Sequence, residues 1–74
     1  DHINEYLMTS LRTQWGCDLA RLQQQYGYDL RQAATTYIEQ LVPRQLATLQ
    51  GTHLVLTHAG KLLADKIAAD LFVD

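Results

Sequence analysis

The spacing of apolar residues near the start of the chain predicts an amphipathic helix. These positions recur at i, i+3, i+4 and i+8, which places them on one helical face: Ile3, Tyr6, Leu7 and Leu11. Asp1 precedes them as a candidate N-cap. The helical pattern stops before Gly16, and glycine commonly interrupts helices. We therefore expect the first helix to end ahead of Gly16.

Two further helices are predicted between Asp18 and Pro43. Asp18 suits an N-cap and Gly27 a C′ position, because Asp accepts backbone N–H bonds and Gly adopts the left-handed conformation. Asp29 should cap the next helix, whose apolar face is the clearest in the sequence: Leu30, Ala33, Ala34, Tyr37, Ile38 and Leu41. Pro43 disfavours helical backbone at the residue before it, so this helix should end near Leu41.

The second half of the chain predicts a β-hairpin and a last helix. Two short extended runs flank Gly51 and Thr52, which is the pattern of a hairpin turn. Thr57 should cap a helix that runs to about Phe72 and presents one apolar ridge: Ala59, Leu63, Ile67 and Leu71. The spacing also predicts two i, i+4 ion pairs on this helix: Lys61 with Asp65, and Lys66 with Asp70.

These elements predict a mainly α fold with a small β-hairpin, in the order helix, helix, helix, hairpin, helix. That order is winged-helix-like. We expect the core to combine residues from the first, third and last helices: Leu7, Leu11, Tyr37, Ile38, Leu63 and Ile67.

A winged helix raises the hypothesis of a DNA-binding module, but the charges argue against it. The chain has six Lys and Arg against eight Asp and Glu, for a net charge of −2. A phosphate backbone is normally met by a basic patch. The predicted hairpin tip, residues 50–53, contains neither Lys nor Arg. A protein- or DNA-binding winged helix is therefore the alternative interpretation, and nucleic acid is the less favoured partner.

Length and composition restrict the chain to one small domain over residues 1–74, with 47% apolar residues. A single cysteine excludes an internal disulfide, a four-cysteine zinc site and an iron–sulfur cluster held by this chain alone. The apolar runs are too short for a membrane span, and no signal peptide is apparent. The chain begins at Asp1 without an initiator Met. We expect a cytoplasmic domain taken from a larger protein.

Two stretches of sequence resemble a known family. The first is Asn-Glu-Tyr-Leu-Met-Thr-Ser-Leu-Arg-Thr at residues 4–13, followed by Trp-Gly-Cys-Asp-Leu at 15–19. The second comprises residues 56–65 and 67–72, with the sequences LTHAGKLLAD and IAADLF. Together they resemble the C-terminal domain of oxygen-independent coproporphyrinogen III oxidase-like proteins. This group of radical S-adenosylmethionine proteins includes haem chaperones.

The resemblance implies that this chain is one domain of a larger protein in porphyrin metabolism, in which another domain carries out the catalysis. Family members bind a four-iron four-sulfur cluster through a C-x3-C-x2-C motif in an N-terminal barrel, with S-adenosylmethionine beside it, and the chaperones also bind haem. This chain has only Cys17, so the resemblance implies a non-catalytic accessory domain without a cofactor of its own. Such a domain would pack on the barrel and help cover the porphyrin site. The parent is either an oxidase or a haem chaperone.

The outer face of the first helix holds the candidate contact residues, which are Asn4, Glu5, Met8 and Arg12. Helical spacing places Glu5, Met8 and Arg12 opposite the apolar face, and the family resemblance adds Asn4. We interpret this face as a contact for the missing barrel or for a propionate-bearing ligand, with Arg12 gripping a carboxylate bidentately. The alternative is a solvated face that contains an incidental Met.

The remaining reactive side chains favour structural roles. Cys17 fits a buried thiol better than a reactive one. Candidate haem ligands are the three histidines with Cys17 and Met8, but no attachment motif selects one of them: His2, His53 and His58 are more simply surface residues.

Overall fold

A computed structural model describes residues 2–73 as short helices around a small sheet. In chain order the elements are α1 (His2–Ser10), β1 (Cys17–Asp18), α2 (Leu19–Tyr26), α3 (Leu30–Ala33), α4 (Thr35–Leu41), β2 (Ala47–Gln50), β3 (His53–Leu56), α5 (His58–Lys61) and α6 (Ala64–Leu71). The predicted mainly α fold with a small hairpin is confirmed, in a winged-helix-like order. The proposed cap Asp1 lies outside the described residues. Within residues 2–73, no helix combines the length and apolar character needed to cross a membrane.

Capping contacts confirm both predicted ends of α2 and the predicted start of α3. The Asp18 carboxylate accepts a hydrogen bond of 3.0 Å from the Ala20 N–H group, and Asp29 accepts one of 3.0 Å from Gln32. Gly27 ends α2 with a φ of 64°, the left-handed conformation expected there. Local side-chain chemistry thus determines where these helices begin and end.

The predicted third helix is in fact two helices, α3 and α4. Ala34 separates them with φ −120° and ψ 31°, outside the helical region. The Thr35 hydroxyl donates a hydrogen bond of 2.6 Å to the Arg31 carbonyl, a contact that commonly bends helices. As predicted, α4 ends at Leu41, before Pro43.

The predicted hairpin is confirmed and belongs to a three-stranded antiparallel sheet. Strands β2 and β3 pair with Gln50 opposite His53, and the turn contains Gly51 at a φ of 62°. Strand β1 joins the other edge of β3 through Cys17, which lies opposite Leu54, so the order is β1-β3-β2. Strand β1 was not predicted from the sequence, because two residues are too few to show an alternating pattern.

The last predicted helix is also divided. Thr57 caps α5 as expected, since its hydroxyl accepts a 3.1 Å hydrogen bond from Gly60. The chain then makes a tighter turn, in which the Leu63 N–H group donates to the Gly60 carbonyl three residues earlier. Leu63, at φ −112° and ψ 20°, lies outside the helical region, and helix α6 begins after it.

Because of this break, two of the four residues in the apolar ridge predicted for the last helix do not face the core. Ile67 and Leu71 are buried as expected, but Ala59 is exposed and Leu63 remains 42% exposed. Small residues of α6 that the ridge did not include, such as Ala64, line the core instead. The ridge assumed one continuous helix, and the turn before α6 changes which side chains face inward.

The core lies between the helices and the inner face of the sheet. Its largest fully buried side chains come from five helices, from β3 and from the turn that follows α1: Leu7, Leu11, Leu22, Leu30, Leu41, Leu54 and Ile67. Four of the predicted core residues are therefore buried: Leu7, Leu11, Ile38 and Ile67. Tyr37 is half-buried and donates a 2.7 Å hydrogen bond to Asp70, which joins α4 to α6.

Candidate functional site

Asn4, the first candidate on α1, holds the end of the chain in place. Its side-chain amide donates to the Val73 carbonyl over 3.0 Å, and its carbonyl oxygen accepts from the Val73 N–H group over 2.8 Å. The side chain is half-buried. These two bonds connect the start and the end of the described chain, so the structure gives Asn4 an internal role that the sequence did not indicate.

Met8 and Arg12 lie together where α1 contacts α6. Met8 is half-buried against the core, and its sulfur accepts a 3.5 Å contact from the Arg12 guanidinium. Arg12 also forms an ion pair with Asp65 at the start of α6, and both side chains are more than half exposed. The guanidinium therefore lies at the surface, already facing a carboxylate.

The ion pair of Arg12 replaces one that was predicted within the last helix. Lys61 was expected to pair with Asp65, but the break between α5 and α6 disrupts the i, i+4 geometry that such a pair needs, and the prediction was wrong. The second predicted pair is confirmed, with the Lys66 Nζ atom 3.0 Å from Asp70. Asp65 consequently joins α6 to α1.

Glu5 completes the predicted face and is exposed. The Thr9 hydroxyl donates a 2.9 Å hydrogen bond to the Glu5 carbonyl, within the helix. The structure thus brings Met8 and Arg12 together, keeps Glu5 and Arg12 exposed, and uses Asn4 for the chain end.

The sequence did not indicate a neighbouring surface. We call it the α5–α6 corner, and it comprises Arg12, Lys61, Leu62, Leu63 and Lys66. These residues line a shallow cavity of about 210 Å³ together with Ala64 and Asp65. The ridge interpretation concealed this surface, because it assigned Leu63 to the core.

A second cleft lies at the opposite end of β3, between α1, β1 and the hairpin tip. Its polar groups bind one another: the Asp18 N–H group donates a 3.0 Å hydrogen bond to the Tyr6 hydroxyl, and the Arg21 guanidinium lies 5.0 Å from the centre of the Tyr6 ring. The His53 Nδ1 atom is 2.9 Å from the Trp15 carbonyl oxygen. This cleft is thus a set of internal contacts that hold β1 and α2 against the hairpin.

Asp18 is the carboxylate of this second cleft, and several hydrogen-bond donors contact it. Burial raises the pKa of its carboxyl, but hydrogen bonds from the Thr52 hydroxyl and the Arg21 and Ala20 N–H groups outweigh that effect, and His53 adds to them. The net result is a pKa below the usual value, so the carboxylate form that caps α2 is favoured.

Cys17 is a structural thiol. Cys17 is fully buried, and its burial is the main reason that its pKa is raised to about 11. A hydrogen bond with the Ser10 side chain lowers the pKa, and the negative charge of Asp18 raises it further. The buried thiol predicted from the sequence is confirmed. A four-iron four-sulfur cluster of the family type needs three thiolates, and one buried, protonated thiol does not meet that need. The residues of this chain therefore do not fit the cluster.

The candidate haem ligands are not brought to one place. His2 stacks on Tyr26 with ring centres 6.5 Å apart, His53 contacts Trp15, and His58 lies exposed on α5. Across residues 2–73, the structure contains no group of three or more His, Cys, Asp or Glu side chains arranged for a metal ion.

Comparison with known protein families identifies the family of this chain. A family model described as the HemN C-terminal domain matches residues 1–63. The match confirms the resemblance found in the sequence, and it extends from α1 to the turn before α6. No curated protein and no solved structure shows a significant match.

Proposed function

The chain belongs to the HemN C-terminal domain family, and on this premise we propose that it is a non-catalytic accessory domain of an oxygen-independent coproporphyrinogen III oxidase-like protein. It packs on the catalytic barrel of the same polypeptide and helps cover the porphyrin site. The observation that carries the proposal is the family match over residues 1–63. The parent acts in the cytoplasm, in porphyrin synthesis or in haem delivery.

The chemistry of the chain's only cysteine supports an accessory role. The family's radical reaction depends on an iron–sulfur cluster with S-adenosylmethionine, and thiolates hold that cluster. Cys17 is buried with a pKa raised to about 11, which keeps it protonated at neutral pH. Under this proposal the barrel supplies the radical chemistry, and the present chain supplies a surface.

Arg12 is the residue through which this surface would recognise a carboxylate. Its guanidinium is exposed and already contacts one carboxylate, that of Asp65. A planar guanidinium can bind two oxygens of a carboxyl group at once. The partner group would be an acidic side chain of the barrel or a propionate of the porphyrin.

The test replaces Arg12 in the full-length parent. Arg12→Ala should lower porphyrinogen turnover by an oxidase parent, or haem transfer by a chaperone parent, while changing the stability of this domain by less than about 1 kcal/mol, since exposed ion pairs stabilise little. Arg12→Lys should restore only part of the activity, because Lys keeps the charge but not the bidentate geometry. Arg44→Ala, at an exposed arginine after α4, is the control and should leave activity unchanged. Unchanged turnover and transfer in Arg12→Ala would contradict the role of Arg12.

A further inference from the structure

The α5–α6 corner exposes two consecutive leucines. Leu62 is 75% exposed and Leu63 is 42% exposed, and the exposed fraction of Leu62 exceeds that of every other large apolar side chain among residues 2–73. Isolated exposed leucines are common on protein surfaces. Leu62 and Leu63 instead lie together at one bend and line the same shallow cavity, so they form a small apolar patch among charged side chains.

The charges around this patch have one predominant sign. Three cations, Arg12, Lys61 and Lys66, stand against one acid, Asp65, in the lining of the cavity. Asp70, outside this lining, pairs with Lys66, so the local excess is one positive charge, on Lys61, whereas the whole chain has a net charge of −2. Asp65 is held by Arg12, and the ion pairs within residues 2–73 include none for Lys61. The corner is thus an apolar patch with a positive rim.

We propose that the α5–α6 corner is the surface through which this domain docks on the catalytic barrel, against a patch of the barrel that combines apolar and acidic side chains. The proposal rests on the proposed function, which supplies the partner, and charge complementarity supplies the chemistry of its surface. Leu62 and Leu63 enter the apolar part of the contact. Lys61, which has no ion pair within residues 2–73, pairs with a carboxylate at its rim, where interfaces are polar.

The second cleft fits this role less well. Its charged side chains are already engaged with one another, as Arg21 lies over Tyr6 and Asp18 caps α2 beside His53. Docking there would disrupt contacts that hold the fold together. The corner, in contrast, presents leucines and a lysine that the described part of the fold leaves exposed.

The positions of the lysines allow a direct test. Lys61 and Lys66 are the only lysines in the sequence, and both belong to the corner. A zero-length carbodiimide reagent joins a lysine to a carboxylate only when the two are in contact. In the full-length parent, we expect mass spectrometry to find Lys61 or Lys66 joined to Asp or Glu residues of the barrel. Linkage of both lysines only to acids of this domain, such as Asp65 and Asp70, would overturn the proposal.

A matched pair of variants of the full-length parent tests the leucines. We expect Leu62→Glu to increase the rate at which a protease releases the domain by about tenfold or more, since a charge replaces a buried apolar contact. Leu62 is three-quarters exposed within the domain, so the substitution should leave the fold unchanged, as circular dichroism can verify. Trp15→Glu is the control, because Trp15 is 66% exposed beside the hairpin tip, at the opposite end of β3.

The outcomes separate the surface from the proposed function. Faster release in Leu62→Glu alone supports docking through the corner. Faster release in Trp15→Glu alone overturns the corner but leaves docking, and with it the proposed function, in place. A wild-type parent whose domain tumbles independently of the barrel in solution overturns both proposals.

Discussion

Gly16 offers the sharpest test of how this fold is held together. It lies in the turn between α1 and β1 with a φ of +72°, a conformation that side-chain-bearing residues rarely adopt. A Cβ atom there would lie 2.8 Å from the Val55 Cα atom and closer still to the Leu54 carbonyl oxygen, distances that real Cβ atoms essentially never show. Both obstacles are backbone atoms of the central strand β3, which cannot rotate away.

The expected cost of Gly16→Ala combines two effects. The left-handed backbone costs an alanine about 1–2 kcal/mol, and forcing extra volume into a packed site costs about 1–3 kcal/mol more. Their sum, about 2–5 kcal/mol, is a large share of the roughly 4–11 kcal/mol expected for 74 residues. Gly27→Ala is the matched control: its φ is +64°, but no atom beyond its chain neighbours in the described structure lies within 4 Å of the added carbon.

Urea unfolding followed by far-UV circular dichroism measures both variants. Gly27→Ala should lose only the backbone contribution, about 1–2 kcal/mol, and Gly16→Ala should lose more, with a lower midpoint at a similar slope. The difference between the two variants isolates the close approach of the turn to β3. Equal losses would refute the reasoning and show that β3 moves aside to accept the new methyl group.

Three further predictions follow from individual contacts. In the same urea assay, Ile38→Ala should cost about 2–5 kcal/mol because the Ile38 side chain is buried. Leu63→Ala should cost less than about 1 kcal/mol because Leu63 is 42% exposed. Equal losses would contradict the placement of Ile38 in the core and of Leu63 at the surface. Asn4→Ala should cost roughly 1–2 kcal/mol, because two hydrogen bonds to Val73 are lost, and hydrogen exchange at the Val73 amide should accelerate. Unchanged exchange would show that Asn4 does not hold the end of the chain in place. Because the pKa of Asp18 is lower in the folded state than its ordinary value of 3.8, the Asp18 carboxylate stabilises the fold at pH values above 3.8. The stability advantage of the wild type over Asp18→Asn should disappear as the pH falls through the lower folded pKa, and urea midpoints measured across acidic pH would show this loss. An advantage that persists at the lowest pH would contradict the prediction.

The sequence predicted those parts of the fold that depend on neighbouring residues. Asp18, Asp29 and Thr57 cap their helices because each side chain reaches an N–H group two or three residues away. The hairpin was found for the same reason, since its turn joins strands that are adjacent in the chain.

The missed features depend on contacts between distant parts of the chain. Strand β1 exists only because Cys17 pairs with Leu54, and a pattern of two residues cannot reveal that pairing. The turn before α6 exposes Leu63, although its spacing fitted a buried ridge. Continuous periodicity therefore predicted helices well, but it concealed the turns that divide them.

The candidate site shows the same limit. Helical spacing correctly separated Glu5 and Arg12 from the apolar face, and both are exposed. It had no means of showing that Asn4 would bind Val73, or that Arg12 would reach Asp65, because those partners are 69 and 53 residues away in the chain. These contacts join the first part of the chain to the last, and only the structure shows them.

The central claim, that this chain is an accessory domain of a catalytic barrel, is tested most directly by supplying it in trans. The barrel portion of the parent would be produced without this domain, and its porphyrinogen turnover or haem transfer measured with and without the added 74-residue chain. We predict that the chain binds the barrel, has no turnover alone, and raises the activity of the barrel in a saturable manner. Turnover by the chain alone, or a barrel that neither binds the chain nor responds to it, would contradict the account.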